Sequence, residues 1–380
     1  MFQKGLKNVV AAETAISLVD GEQGRLIYRG YNAKELALHY SFEEVAYLIW
    51  FGYLPGDQEK QIVSELLANN RYLPSYIYSL IQTLPLDMEI MSQVRTAISA
   101  LGTKEFGWKP TIEQAIRLTA VIPVITAMIY RKVNGKEIVK PSKEMGHVEN
   151  YLYMLTGERP SFAYTKALEA YMILTMEHGM NASTFTSRVV SSTESDIVSA
   201  VTGAIGAMKG PLHGGAPTGV IDMLNEIKDK ETAETWIRQK LERKEYLMGF
   251  GHRVYKTRDP RAEALSEIVK QVGADDASLE LASYVEQLAV QLLEEYKPGR
   301  KLNTNVEFYA AAVMKAIDMS PSLFTPTFTV SRMVGWTAHV IEQSLDNTIF
   351  RPEAKYIGKQ SEKLELLGES RKAIEVASLT

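Results

Sequence analysis

From Ser41 onward, apolar residues recur at helical spacing in one segment after another. The first of these segments opens with Ser41 three residues before Glu44, which is the arrangement of a helix N-terminal capping box. The breaks between segments are short and contain residues that end or start helices: Pro55, Gly56, Pro74, Pro85, Asn134, Gly135, Pro141, Ser142 and Gly157. Connections this short favour antiparallel packing of neighbouring helices. The pattern predicts a mainly α-helical protein.

Strand-like alternation of apolar and polar residues is concentrated near the N-terminus, in residues 15–31. Asp20, Gly21 and Gly24 interrupt that alternation and supply turn chemistry, so a short β hairpin is predicted there. Later in the chain, Gly203, Gly206 and Ala207 place small residues on one helix face. They would permit a close helix approach, either in the core or at a subunit interface.

Size and composition indicate a large globular protein. The 380 residues exceed the length at which one core usually stops growing, so two domains are expected. With a formal net charge of -4, the chain has no global attraction to nucleic acid or to an anionic membrane. The most apolar window, residues 118–130, is shorter than the roughly 20 residues of a membrane span and contains Pro123. We interpret it as a buried, kinked helix.

The sequence contains no cysteine, which excludes disulfides, a thiolate nucleophile and cysteine metal ligands. A chain of this length without disulfides fits a reducing compartment. The N-terminal segment lacks the apolar region of a signal peptide and the arginine-rich character of a transit peptide. We therefore expect a cytoplasmic protein whose mature chain starts at this N-terminus.

Two of the six histidines lie in glycine-rich turns, which makes them candidates for function. His213 lies in residues 210–217 (GPLHGGAP) and His252 follows the glycines of residues 247–251 (LMGFG). Exposed backbone N–H groups in such turns let a ligand approach closely, and both turns are candidate hinges. His178 lies at a predicted helix end, where a side chain can face a cleft. The other three have a structural interpretation: His39, His147 and His339.

Metal and dinucleotide sites are disfavoured by the spacing of the relevant residues. The histidines lack the short helical spacing of zinc enzymes, and no acidic segment resembles a calcium loop. Gly249 and Gly251 lack the third glycine of a dinucleotide-binding loop and follow a helical pattern. Cationic residues cluster around the second histidine loop instead: Arg253, Lys256, Arg258 and Arg261. A solvated helix face is one interpretation, but a cationic loop favours binding of small anions.

Three segments together resemble the signature set of citrate synthases: GPLHGGAP, MGFGHRVYKTRDPRA and NVEFYAAAV. The N-terminal block of residues 5–31 and the C-terminal segments SRMVGWTAHVIEQ and IFRPEAKYIG are similar to the same family, so the resemblance covers nearly the whole chain. It implies a mainly α fold with a large helical domain, residues 1–215 and 320–380, for dimerisation and the oxaloacetate site. Residues 216–319 would form a small helical domain for CoA binding and the catalytic base. The family's partners would be acetyl-CoA, oxaloacetate and a second copy of the chain.

The resemblance also implies residue roles. The catalytic residues would be His213 as donor to the acetyl thioester, His252 as donor to the oxaloacetate ketone, and Glu307 as base. Oxaloacetate would be bound by His178, Arg261 and Arg332, with Arg351 supplied across the dimer interface. CoA would contact Leu247, Gly249, Phe250, Gly251, Lys256 and Arg258. CoA would act as part of the acetyl-CoA co-substrate, with no tightly bound cofactor and no metal.

Glu307 departs from the family pattern, because the base in the NVD segment is usually aspartate. A thioester methyl is a very weak carbon acid, so its proton is removed only when a donor stabilises the developing enolate oxygen. The longer glutamate side chain changes the reach of the base, and an error of about 1 Å can cost on the order of 100-fold in rate. Two alternatives remain open at this point. They are a 2-methylcitrate synthase that uses propionyl-CoA and a catalytically weak regulatory or binding homologue.

Overall fold

The computed structural model describes residues 2–214, 218–251, 255, 257–272 and 277–358. The described residues form two compact units, of which one comprises residues 2–12 and 351–358 and contains the 3₁₀ helix Lys4–Leu6. The other, Glu13–Phe350, contains the strands and α-helices described below. The predicted boundaries between a large and a small catalytic domain, at residues 215–216 and 319–320, stay a prediction.

The described residues form a small sheet followed by helices. The strands are β1 (Ser17–Asp20), β2 (Arg25–Tyr28) and β3 (Tyr31–Asn32). The helices of the first half are α1 (Ala33–His39), α2 (Phe42–Phe51), α3 (Asp57–Asn69), α4 (Ser75–Thr83), α5 (Ile90–Ser99), α6 (Ile112–Val133), α7 (His147–Thr156) and α8 (Phe162–Met176). Those of the second half are α9 (Ala182–Ser192), α10 (Ile197–Met208), α11 (Thr218–Ile227), α12 (Lys230–Glu242), α13 (Pro260–Val272), α14 (Ala277–Tyr296), α15 (Val306–Ala316) and α16 (Phe324–Leu345). The mainly α fold is therefore confirmed.

The N-terminal sheet contains the predicted hairpin and one strand more. β1 and β2 pair antiparallel, with Leu18 opposite Ile27, and β3 adds to the other edge of β2. The loop between β2 and β3 consists of Arg29 and Gly30, both with positive φ, at 48° and 92°. Two consecutive residues with positive φ match the twist of a tight hairpin, so this dipeptide was the signal for the extra strand.

The predicted capping box at the start of α2 is present. Ser41 Oγ accepts a hydrogen bond from the Glu44 backbone N–H at 3.4 Å, and Glu44 Oε2 accepts one from the Ser41 N–H at 2.8 Å. Two N–H groups that the helix leaves unpaired are thereby satisfied.

The apolar window becomes α6, which continues through Pro123 as a single helix. Among the described helices, α6 is the one long and apolar enough to cross a membrane by length and composition. Within the protein, 78% of its apolar window is buried, as in the core helix of a folded domain. The expectation of a buried helix is confirmed.

α16 is the central helix of the core and packs against α6, α8, α9 and α10. Its largest side chain, Trp336, is fully buried. α9 and α10 also pack closely, because a Cβ on Gly203 would lie only 3.2 Å from Thr186 Cγ2 and 3.3 Å from Val190 Cγ2. Core packing within the chain therefore accounts for Gly203.

The helices α13 and α15 place two further sequence motifs side by side. α13 packs on α1 and α8 as well as on α15, and α14 packs on α12 and α15. The DPR segment lies at the start of α13, and the NVE segment lies at the start of α15. Because helix N-termini carry unpaired N–H groups and the positive end of the helix dipole, this arrangement favours anionic groups there.

Candidate functional site

His178 lies in the short connection between α8 and α9, as the sequence predicts. Its Nε2 is 3.1 Å from the hydroxyl of Tyr255, and the two rings meet edge to face. The guanidinium carbon of Arg261 lies 5.7 Å from the centre of the Tyr255 ring. Tyr255 therefore connects two of the predicted substrate-binding residues, and the sequence analysis did not identify it.

His213 lies in a turn that follows α10 and is half-buried. Its Nε2 is 2.7 Å from Ser183 Oγ, which also accepts a hydrogen bond from Trp336 Nε1 at 3.0 Å. The same hydroxyl donates a hydrogen bond to Asn181 Oδ1 at 2.8 Å. Ser183 thus fixes the orientation of the His213 ring from the start of α9. The sequence analysis missed Ser183, although it is part of the segment that contains His178.

The imidazole of His213 is neutral at pH 7. Burial disfavours the charged ring, and the positive charge of Arg332 opposes protonation further, so the pKa of His213 falls to about 4. A neutral ring has one N–H donor and one acceptor nitrogen. Because Ser183 Oγ donates to Asn181 Oδ1, His213 Nε2 carries the ring proton and donates to Ser183. His213 can donate to a substrate oxygen from Nδ1 when the Ser183 proton turns to Nε2.

The turn that contains His213 depends on the absence of a side chain at Gly214. A Cβ there would lie 2.1 Å from the Met208 carbonyl oxygen and 2.9 Å from Thr325 Cγ2. Thr325 Oγ1 donates a hydrogen bond to the Gly214 carbonyl oxygen at 2.7 Å. Because backbone atoms cannot move aside as a flexible side chain can, only glycine fits this position.

The second histidine loop is held by backbone pairing to the segment that precedes α15. Gly251 N donates to Asn303 O at 2.7 Å, and Asn305 N donates to Gly249 O at 2.9 Å. Asn305 Nδ2 adds a bond to Gly251 O at 2.9 Å. Gly249 has φ +86°, and a Cβ there would lie 2.9 Å from Phe308 Cβ. The backbone immediately before His252 is thereby fixed next to the start of α15.

His252 and Lys256 themselves lie outside the described residues, as does Arg253. Of the other predicted CoA contacts, Leu247 is buried and Phe250 packs its ring 5.3 Å from that of Phe308. Arg258 is ion-paired, with NH2 3.2 Å from Glu286 Oε1 and Nε 3.8 Å from Glu263 Oε1. The predicted role of Arg258 in CoA binding stays a prediction.

Glu307 is the second residue of α15 and has an exposed side chain. Its backbone N–H donates to the Asn305 side chain at 3.1 Å. Protein atoms around the carboxylate reduce its hydration and raise the pKa of Glu307; the charge of Arg261 lowers it and that of Asp259 raises it. A carboxylate whose pKa is raised in this way binds a proton more strongly than a free carboxylate, which is a property of a general base.

Asp259 links the predicted substrate-binding arginine to the predicted base. Arg261 Nε lies 3.0 Å from Asp259 Oδ1 and its NH2 lies 2.9 Å from Oδ2, a bidentate pair in which both residues are buried. Asp259 Oδ2 also accepts the backbone N–H of Val306 at 3.1 Å, at the first residue of α15. Asp259 therefore joins the starts of α13 and α15, a role that the sequence analysis did not assign to it.

Arg332 and Arg351 lie in different surroundings. Arg332 is buried on α16, where its Nε donates to the Thr175 carbonyl oxygen at 2.6 Å and its guanidinium carbon lies 4.8 Å from the centre of the Phe328 ring. Arg351 belongs to the other compact unit and is exposed. Its predicted contribution to a partner's site stays a prediction.

These contacts and charges form one cluster in the Glu13–Phe350 unit. Tyr255 connects His178 to Arg261, and the charge of Arg261 acts on both Glu307 and Arg332. The charge of Arg332 in turn acts on His213. The cluster thus combines the cations Arg261 and Arg332 and the neutral imidazole of His213 with the carboxylate of Glu307, an arrangement suited to a small anionic substrate from which a proton is removed. Across the described ranges, no group of three or more potential metal ligands occurs.

The requirement for glycine in the His213 turn predicts a specific loss of stability. We expect Gly214→Ala to lower the midpoint of thermal unfolding, because a new Cβ would overlap the Met208 carbonyl oxygen. Gly107→Ala is the matched control, since a Cβ there meets nothing within 4 Å. Circular dichroism melts of the two variants and the parent chain measure the difference. Equal midpoints for both variants would contradict the close approach at Gly214.

Comparison with known proteins identifies the family. The family model described as "Citrate synthase, C-terminal domain" matches residues 5–353. The chain is 41% identical to citrate synthase 2 of Bacillus subtilis over 95% of its own length and 97% of that protein. It is 40% identical to a 2-methylcitrate synthase of Mycobacterium tuberculosis over 94% of its own length and 91% of that protein.

Solved structures agree with this. The citrate synthase of Pyrobaculum aerophilum superposes with a TM-score of 0.86 at 36% identity, covering 96% of this chain and 94% of that one. The citrate synthase of Thermoplasma acidophilum, in a ternary complex with carboxymethyl coenzyme A and oxaloacetate, also gives 0.86, at 29% identity with 96% and 98% covered. The chain, an acyltransferase by its relatives and its fold, belongs to the citrate synthase family.

Proposed function

We propose that this enzyme condenses acetyl-CoA with oxaloacetate and hydrolyses the resulting citryl-CoA to citrate and CoA. The observation that carries the proposal is the Asp259–Arg261 pair, which ties a carboxylate-binding cation to the helix start where Glu307 lies. The first test is an assay of thiol release from acetyl-CoA in the presence and absence of oxaloacetate. Release that requires oxaloacetate supports the proposal, and its absence refutes the proposal.

In the proposed reaction, Glu307 removes a proton from the thioester methyl while His213 donates to the carbonyl oxygen that gains charge. Removal of such a weakly acidic proton requires both groups to act together. For this role the hydroxyl of Ser183 would turn its proton from Asn181 Oδ1 to His213 Nε2, which places the ring proton on Nδ1, where the substrate can accept it. The ring is neutral, since burial keeps the pKa of His213 near 4.

The second carbon centre is the ketone of oxaloacetate. His252 would donate to its oxygen and protonate the alkoxide that forms when the enolate carbon attacks. His178, Arg261 and Arg332 would bind the carboxylates, with the two guanidinium groups using donors other than the Arg261 Nε and NH2 that bond to Asp259 and the Arg332 Nε that bonds to Thr175. Support comes from the ternary complex of the Thermoplasma acidophilum enzyme, which contains oxaloacetate and a CoA analogue.

The remaining parts of the proposal follow from the family resemblance. Residues 1–215 and 320–380 would form the large domain and residues 216–319 the small domain, and closure of the two would exclude water from the thioester. Arg351 would enter the site of a partner subunit in a homodimer. The backbone of residues 247–251, with Lys256, would hold CoA, and Arg258 would have to exchange its ion pair with Glu286 for a phosphate. A cysteine-free chain also fits a cytoplasmic location.

The second candidate function is 2-methylcitrate synthesis from propionyl-CoA. It is favoured by the 40% identity to a 2-methylcitrate synthase, almost equal to the identity with the Bacillus subtilis citrate synthase. A pocket discriminates one methylene by only about 1–3 kcal/mol, so enzymes of the two kinds overlap in substrate use. The fold and the proposed roles of the residues are the same for both reactions.

Substitution of Glu307 tests the assignment of the base. Glu307→Gln keeps the size of the side chain but cannot accept the proton, so we expect kcat to fall by roughly 100-fold to 10,000-fold. Glu307→Asp is the matched control, because it keeps the carboxylate and should retain far more activity than the Gln variant. Steady-state kinetics with both substrates measure the effect. Near-normal turnover by Glu307→Gln would refute the assignment.

The pH dependence of kcat/KM should report the ionisation of Glu307. A base must be deprotonated, and the pKa of Glu307 is raised above its ordinary 4.5, so activity should fall with decreasing pH through a midpoint above 4.5. The ring of His213 takes up its proton only near pH 4, so it does not cause this loss. Initial rates across the acidic range, with circular dichroism to exclude unfolding, provide the measurement. A midpoint at or below 4.5 would contradict the environment described for Glu307.

Acyl-CoA preference separates the two candidate reactions. Glu307 is one methylene longer than the aspartate expected there and takes up space beside the acyl carbon, so we expect acetyl-CoA to be preferred. The ratio of kcat/KM values should lie within about 10-fold to 200-fold, the usual worth of one methylene. Competition between the two acyl-CoAs at saturating oxaloacetate measures this ratio. A ratio in favour of propionyl-CoA would assign the enzyme to 2-methylcitrate synthesis.

A further inference from the structure

Glu177 is a fully buried carboxylate directly before His178, and the proposed reaction does not use it. Its Oε1 accepts hydrogen bonds from Ser17 Oγ at 2.9 Å and from the Gly179 N–H at 2.5 Å. Its backbone carbonyl oxygen accepts a bond from the Tyr28 hydroxyl at 2.7 Å. These contacts hold the connection between α8 and α9 on both sides of His178.

The third neighbour of Glu177 Oε1 is His339 on α16, whose Nε2 lies 3.1 Å away. On the other side of the ring, Arg188 NH1 is 2.9 Å from Nδ1. A guanidinium can only donate, so Nδ1 is the acceptor and the imidazole proton lies on Nε2, facing Glu177. Arg188 is fixed in turn by Glu342 at 2.7 Å and Gln343 at 3.0 Å. The chain of contacts thus places an imidazole N–H within 3.1 Å of the buried carboxylate.

Glu177 also lies next to Arg332. A Cβ on Gly335 would be 2.5 Å from Glu177 Oε2 and 3.5 Å from Arg332 Cδ, so both side chains use the space that this glycine leaves open. Burial alone would raise the pKa of Glu177, but His339, the charge of Arg332 and the hydrogen bond from Ser17 together lower it. Glu177 is therefore ionised at neutral pH and provides a buried countercharge for Arg332.

We propose that Glu177 and His339 are positioning residues for oxaloacetate binding, which together hold His178 and Arg332 in place. This inference rests on the proposed function. Because two different binding groups depend on one carboxylate, loss of the His339 donor should weaken both contacts to oxaloacetate. The step that removes a proton from acetyl-CoA uses Glu307 and His213, which do not contact this pair among the described residues.

Two substitutions of His339 separate positioning from packing. The carboxamide nitrogen of His339→Gln reaches approximately the place of Nε2 and can still donate to Glu177, whereas His339→Asn reaches only the place of Nδ1. We expect His339→Asn to raise the KM for oxaloacetate about tenfold or more, since the substitution removes the 3.1 Å contact of the imidazole with an ionised, buried carboxylate. His339→Gln should change it by no more than about threefold. The KM for acetyl-CoA at saturating oxaloacetate should stay close to that of the parent enzyme in both.

The matched control is His147→Asn. His147, at the start of α7, is also a buried imidazole. Its ring stacks on that of Phe42, with the ring centres 4.4 Å apart. The His147→Asn variant should lose thermal stability without a change in the KM for oxaloacetate. If His339→Asn does not fold, Ser17→Ala removes another donor to the same oxygen from a half-buried position and should raise that KM in the same direction.

The outcomes distinguish this inference from the proposed function. A parent enzyme that neither releases thiol nor binds oxaloacetate in calorimetry overturns the proposed function and, with it, this inference. An active parent enzyme overturns the inference alone if His339→Asn keeps the oxaloacetate KM. The same holds if the Gln and Asn variants change that KM equally. A selective rise in His339→Asn supports it.

Discussion

The carboxylate of Asp259 is the interaction on which the rest of the site depends. Its two oxygens accept hydrogen bonds from Nε and NH2 of Arg261 and from the backbone N–H of Val306, the first residue of α15. Asp259, Arg261 and Val306 are all buried. A buried ion pair contributes stability only when its geometry is good and its remaining donors and acceptors are satisfied. The bidentate geometry of this pair meets the first condition, and the bond from the Val306 N–H supplies a further donor to Asp259. The result is a rigid junction between two helix starts, from which a cation and the Glu307 carboxylate project.

The same principle applies on α16, where the charge of Arg332 is buried beside Glu177. Removing one partner of such a set leaves an uncompensated charge, which is why these residues depend on each other more than separate surface ion pairs do. The buried groups occur where helices α8, α9 and α16 meet and where Ser17 of β1 reaches the connection between α8 and α9. Rigid helices and a small sheet therefore hold side chains that a flexible loop would leave free.

The sequence predicted the fold class and several breaks between helices in residues 41–157. Local signals sufficed for these, such as the capping box at Ser41 and the proline and glycine breaks between helices. The third strand was missed because a two-residue Arg29–Gly30 loop is a weaker turn signal than asparagine or aspartate followed by glycine. The resemblance supplied the predicted residue roles, but Ser183, Tyr255 and Asp259 were not among them. Each of these acts through a partner distant in sequence, as Ser183 does with Trp336, 153 residues away.

By itself, the sequence determined the helical architecture, the family, and the presence of glutamate at position 307. These follow from periodicity and from residues that are contiguous in the chain. The tertiary structure decided which charges are paired, which ring nitrogen of His339 carries a proton, and why Gly214 and Gly335 have no side chain. The pairing on α16 depends on distances between segments far apart in the chain, for example Arg188 and His339, 151 residues apart. Neither composition nor spacing can specify such distances, because they are set by how the helices pack.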